Sequence, residues 1–323
     1  MSNTRSQKTV KVFFIGIVFA LVSFYGCKSK SSNPTAPVSP NLNSSLLITN
    51  GTAPYISPDG NGLLYKRDSS WYYHHAGADI QVISSVNPTS AIRWFTDNTH
   101  VVFSVSGQLG STTNGIYLEY LPTDSLINLH QSGRDPIPWT HGTVTDSVVF
   151  EETNPLTGTG LYTYAIRTET ITRVGFGLVG TNPEISPDGN VIVYLGGSVA
   201  TSPCIARANN NWTERILSSN DSYHIVFASD DYIYFDSYSS SGLEIFRYSN
   251  ITATDSVFVS NAGHPVGSAS GAVAYQSITN NSTELMLYRN QTVYTVSNNI
   301  SSYSLTADGR VVYEKNGSIW ITD

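Results

Sequence analysis

Seven times between residues 63 and 313 the chain places a short aliphatic run that ends in an aromatic side chain. The copies are Leu63-Leu64-Tyr65, Val101-Val102-Phe103, Val148-Val149-Phe150, Ile192-Val193-Tyr194, Ile233-Tyr234-Phe235, Val273-Ala274-Tyr275 and Val311-Val312-Tyr313. Their terminal aromatics are 38 to 47 residues apart. A fixed period near forty marks one supersecondary unit stacked against copies of itself, and at this length the unit is a four-stranded sheet. No other feature limits the fold as strongly. Composition agrees: charged residues make up only 13% of the chain, whereas Tyr (20) and Phe (12), which favour strands, are plentiful.

A turn precedes most copies by four to six residues: Ser57-Pro58-Asp59-Gly60, Thr96-Asp97-Asn98, Ser186-Pro187-Asp188-Gly189, Ser229-Asp230-Asp231, Ser270-Gly271 and Thr306-Ala307-Asp308-Gly309. Pro presets φ for the second turn position, Asp accepts local backbone hydrogen bonds and Gly takes positive φ. Each of these aspartates therefore has a structural role without any chemistry. Two further strand-like stretches follow each aromatic, for example Gly115–Tyr120 and Ser125–His130, which makes four strands per repeat. The weakest copy is the third, where Thr145-Asp146-Ser147 is a poor turn. The last repeat lacks a fourth strand, and Ser45–Thr49 before the first turn has the composition to supply it and close a ring without open edges.

These repeats resemble those of the TolB-type propellers, a WD40-like family that carries Ser-Pro-Asp-Gly between the first and second strands of each blade. Residues 57 to 60 and 186 to 189 match in full, and 306 to 309 match in degenerate form. The resemblance covers residues 44 to 323 and implies an all-β propeller. Six blades are usual in that family, so six stands as the alternative to the seven counted here. The motif reports architecture and not activity.

The first 26 residues have the pattern of a signal peptide: Arg5, Lys8 and Lys11 with no acid, then an apolar run from Val12 to Tyr25. That run is shorter than the roughly 20 residues that span a bilayer as a helix. Phe24-Tyr25-Gly26-Cys27 resembles the bacterial lipobox, with Phe and Tyr where Leu and a small residue are usual. The resemblance implies lipidation of Cys27, and Lys28, in place of a retention Asp, favours the outer membrane over the inner. Residues 27 to 43 are polar and proline-rich and read as a disordered linker. Removing residues 1 to 26 leaves 14 basic and 24 acidic residues, a balance of −10. With no basic stripe, nucleic-acid binding is not expected. The propeller is expected to be monomeric and held to the membrane by its lipid alone.

Little in the chain points to catalysis. The nearest approach to a Gly-x-Ser-x-Gly elbow, Gly267-Ser268-Ala269-Ser270-Gly271, has Ala at the nucleophile position. Cys204 reads as a buried structural thiol. His74 and His75 are strand neighbours, as are Glu151 and Glu152, and neighbours point to opposite faces. No His or Cys spacing suggests a structural metal, and Asp230, Asp231 and Asp236 do not follow a calcium-loop pattern. Neither cofactor nor metal is expected. Polar and aromatic residues that break the repeat, in the loops that precede the first strand of each blade, converge at one mouth of the central channel in propellers generally. They are Arg93, Trp94, Trp139, His141, Glu184, His224, His264 and Tyr303, the candidate binding residues, with no catalytic residue assigned. The functional expectation is a non-catalytic cell-envelope scaffold for a protein, peptide or glycan. The alternative is a glycan lyase or hydrolase working at the channel mouth.

Overall fold

The computed structural model describes residues 42–105, 114–141, 144–154, 158–174, 180–196, 201–279 and 282–323. The expected signal peptide, Cys27 and the expected linker up to residue 41 lie outside the described residues.

Among the described residues, twenty-eight strands form seven four-stranded antiparallel sheets, the blades of a propeller. The innermost strands of blades 1 to 7 are Thr52–Ile56, Arg93–Trp94, Arg134–His141, Gly180–Ile185, Ile225–Ala228, Ala262–Gly267 and Tyr303–Leu305. The seven aromatic-ended runs lie on the seven second strands. Each of these strands is covered on both faces by neighbouring blades, which is why they read as unbroken apolar runs instead of alternating patterns. All 21 of their residues are buried.

The apolar interior is divided into seven clusters, one in each wedge between adjacent blades. In the wedge between blades 1 and 2, for instance, Leu64, Trp71 and Val82 meet Val101, Phe103 and Tyr117. A blade therefore has no core of its own and is stable only beside its neighbours.

Closure follows the sequence expectation. Ser44–Thr49 pairs antiparallel with Ser318–Thr322 and becomes the outer strand of blade 7, so seven blades replace the six-blade alternative. Blade 3 is complete despite its weak turn signal, because Asp146 and Ser147 lie on its long second strand, Val144–Asn154. In blade 6 the turn begins two residues earlier than Ser270, with Gly271 N–H donating to Ser268 O.

Candidate functional site

The innermost strands line a central channel, and each leads into its hairpin turn at one end of it. The Ser-Pro-Asp-Gly turns are locked from within: Ser57 Oγ accepts from Gly62 N–H at 2.8 Å and donates to Asp59 at 2.6 Å, and Ser186 does the same with Val191 and Asp188. Burial raises the pKa values of Asp59 and Asp188, but these hydrogen bonds outweigh it and hold both below the ordinary carboxylate range.

The turns are also bonded to one another around the mouth. Ala307 N–H donates to Pro58 O, Asp59 N–H to Asn98 Oδ1, Asp188 N–H to Asp230 Oδ1, Ser229 N–H to Ser268 O and Ser270 N–H to Ala307 O. Trp139 joins blade 3 to this belt through Nε1–H donation to Gly189 O at 3.1 Å. Asp230 is thus occupied as a turn acceptor.

Inside this belt is a cavity of about 440 Å³ to which all seven blades contribute. Its walls are chiefly apolar, with Ile56, Ile92, Ile137, Ile185, Phe227 and Leu305 among them. Arg93 of blade 2 and Glu184 of blade 4 form an ion pair across the channel. Glu184 keeps a fifth of its side-chain surface accessible yet is enclosed deep in the ring. Burial raises its pKa against the lowering effect of Arg93. It is the only carboxylate among the described residues lining this cavity.

At the opposite end, where the innermost strands begin, Asp236 on the second strand of blade 5 is the organising group. Its carboxylate accepts from the backbone N–H groups of Tyr223 (3.0 Å), His224 (2.8 Å) and His264 (3.0 Å), and from His224 Nδ1 (2.7 Å). Burial raises its pKa, but His224 and the backbone donors reverse the sign and leave it lowered. The His224 and His264 rings are 4.3 Å apart, and Tyr303 donates its hydroxyl proton to His264 O. Burial and the charge of His224 lower the pKa of His264, against the pull of Asp236.

The eight expected residues therefore divide among several places. Arg93 and Glu184 meet in the cavity, whereas His224, His264 and Tyr303 gather at the other end. Trp94 packs against Tyr73 and donates to Tyr55 O, and Trp139 stacks edge-on against Trp212, so both tryptophans join blades. His141 ends its strand, and its side chain lies outside the described residues. Of the eight, only His224 precedes an innermost strand; the other seven lie on one.

Sequence reasoning missed a second repeated device. Ala53, Asp135, Asn182 and His264 all have φ between 48° and 55°, each is followed by Pro, and each sits where the register of the innermost ladder shifts. These are bulges, and the following Pro has no N–H to lose from the ladder. The carboxylates of Glu314 and Asp236 accept from the N–H groups of Ala53 and His264, so a bulge in one blade is held by the second strand of the blade before it. The readable signal was Pro54, Pro183 and Pro265, each three residues before a turn serine.

Two arrangements resemble catalytic sites without being so. Ser132 and Glu152 both contact His130 Nε2, at 3.0 Å each, whereas a nucleophile relay needs its two partners on different ring nitrogens. Cys204 is buried against Ser202 O, and burial pushes its thiol pKa up to about 12, away from reactivity.

No family model and no curated protein matches this chain. Solved structures do. Oligogalacturonate lyase in complex with manganese aligns with a TM-score of 0.63 at 12% identity, covering 88% of this chain and 98% of that one. A prolyl endopeptidase aligns with a TM-score of 0.60 at 13% identity, over 85% of this chain and 50% of that one. TolB from Acinetobacter baumannii aligns with a TM-score of 0.50 at 14% identity, over 83% of this chain and 62% of that one. At these identities the likeness is one of fold, a TolB-like seven-bladed propeller. Among the described residues no three His, Cys, Asp or Glu side chains gather to hold an ion.

Proposed function

We propose that this protein is an extracytoplasmic lipoprotein, tethered through Cys27, whose propeller is a non-catalytic scaffold that captures a partner at the turn end of its channel. The observation that carries this reading is the cavity's chemistry. Glycoside hydrolysis needs two carboxyl groups about 5 to 10 Å apart. Among the described residues the cavity offers one, Glu184, and that one is committed to Arg93. What remains is an apolar funnel rimmed by rigid, mutually bonded turns, which suits an inserted apolar segment of a protein or peptide better than a sugar rich in hydroxyl groups.

In-cell crosslinking followed by purification tests it. A defined envelope partner is expected with the parent chain and is expected to be lost when Ile185 and Phe227 are both changed to Asp. Recovery of the same partner from that variant, or turnover of oligogalacturonate or another envelope glycan by the parent, overturns the scaffold. The tether is tested separately by fatty-acid labelling, where label that persists on Cys27→Ala refutes lipidation at that residue.

A further inference from the structure

The His224 and His264 pair lies at the end of the channel remote from the proposed docking cavity. Forty residues separate the two in sequence, and the fold brings their rings to 4.3 Å between centroids with planes inclined at 50°. His224 Nδ1 faces Asp236 Oδ2 at 2.7 Å, and an ionised carboxylate only accepts. In the neutral ring the proton is therefore on Nδ1, which leaves the lone pair of Nε2 free. A buried carboxylate that fixes the tautomer of an imidazole in this way is the usual support behind a metal-bound histidine. The same Asp236 holds the His264 backbone through its N–H, and Pro265 and the Tyr303 hydroxyl fix the chain on either side. No hydrogen bond to a described residue reaches the His264 ring. Both rings are open to solvent, and each stands on a rigid inner strand or immediately before one.

We infer that His224 and His264 form an open two-imidazole site for a divalent transition-metal ion of the zinc, nickel or copper class, with water completing the coordination shell. Two nitrogens bound at about 2.0 to 2.1 Å to one tetrahedral ion lie roughly 3.3 Å apart. Two rings with centroids 4.3 Å apart are within reach of a single ion. Imidazole donors select zinc, copper and nickel over magnesium, calcium and manganese, which prefer oxygen. The pair comes from two blades, so an ion here clamps blade 5 to blade 6 beside the channel. The inference is independent of the scaffold reading, because its readout is metal binding alone.

The test is calorimetric titration of the chelator-stripped full chain in detergent with Zn2+, Ni2+ and Mn2+, paired with thermal unfolding. One equivalent of Zn2+ or Ni2+ is expected to bind and raise Tm, with no saturable binding of Mn2+. His224→Gln and His264→Gln should each weaken Zn2+ binding tenfold or more, while His74→Gln and His100→Gln leave it unchanged. Because His224 also helps hold Asp236, His264→Gln, which breaks no observed side-chain bond, separates lost ligation from lost folding. Absence of saturable Zn2+ and Ni2+ binding by the parent, undiminished binding by the His224→Gln/His264→Gln double variant, or a preference for Mn2+ overturns the site.

Discussion

Asp236 and Glu119 are both buried, and their surroundings push them in opposite directions. Asp236, at the channel, collects three backbone N–H groups and an imidazole, and its pKa is lowered in spite of burial. Glu119, on the third strand of blade 2 and facing blade 1, has no hydrogen-bond donor at either oxygen. Burial first, and then the nearby Asp124 carboxylate, raise its pKa to about 8, so it carries a proton at neutral pH. Burial alone therefore does not decide the charge of a carboxyl group; the supply of donors does. Donors converge where irregular strands and bulges expose backbone N–H groups, at the channel, and not in the wedges, where regular ladders have consumed them.

The largest effect expected from breaking this contrast is that of Asp236→Ala. Removing the acceptor leaves three N–H groups and His224 without their partner, at a cost of about 3 to 5 kcal/mol in urea unfolding. The sign with pH follows from the lowered pKa. The stabilisation by Asp236 is present above the unfolded carboxylate value near 3.8 and is lost as pH falls through the folded value, so the variant should lose part of the parent's acid sensitivity. A cost below about 1 kcal/mol would show that the cluster does not organise this end of the channel.

Glu119→Gln should act the other way. Its folded pKa of about 8 exceeds the unfolded 4.5, so the folded form keeps a proton that the unfolded form releases. Stability should fall by up to about 1.4 kcal/mol per pH unit between those values. Gln cannot ionise and should flatten that decline, making the variant more stable than the parent at pH 8, by a few kcal/mol at most. Parallel stability profiles for the two proteins across that range would remove Glu119 from the comparison.

The smallest effect belongs to the turns. Asp59→Ala and Asp188→Ala each remove local bonds of an exposed carboxylate and should cost about 1 kcal/mol, nearly equally, because the two turns repeat the same geometry. Unequal costs would show that the neighbouring blade, and not the turn itself, sets the value.

The architecture was legible because it repeats. Seven aromatic-ended runs gave the blades, and a spare strand at Ser45–Thr49 matched a missing one after Trp320. Turn aspartates were also readable, since the side chains of Asp59 and Asp188 bond only within a few residues, to Ser57 and Asn61 and to Ser186 and Asn190. The channel was only half legible. His224, His264 and Tyr303 stood out as breaks in the repeat, but their common anchor Asp236 carried no signal beyond a spacing from Asp230 and Asp231 that fits no calcium loop. Arg93 and Glu184 are 91 residues apart, and only ring closure brings them together. Glu119 gave no signal, because an outward-facing glutamate on a strand has the same local sequence as a buried one.

The pairing of Ser44–Thr49 with Ser318–Thr322 also imposes an order in time. Ser44–Thr49 leaves the ribosome long before its partner Ser318–Thr322, so it waits unpaired while some 270 residues are delivered. Joining ends so far apart costs about 5 kcal/mol of chain entropy, which the wedges on both sides of blade 7 must repay when they form. Until then every finished blade borders an unfinished ring, and the chain must avoid strange sheet edges throughout its own delivery. A ring closed in this way is therefore all-or-nothing: the channel, with both of its dissimilar ends, comes into being in the final step.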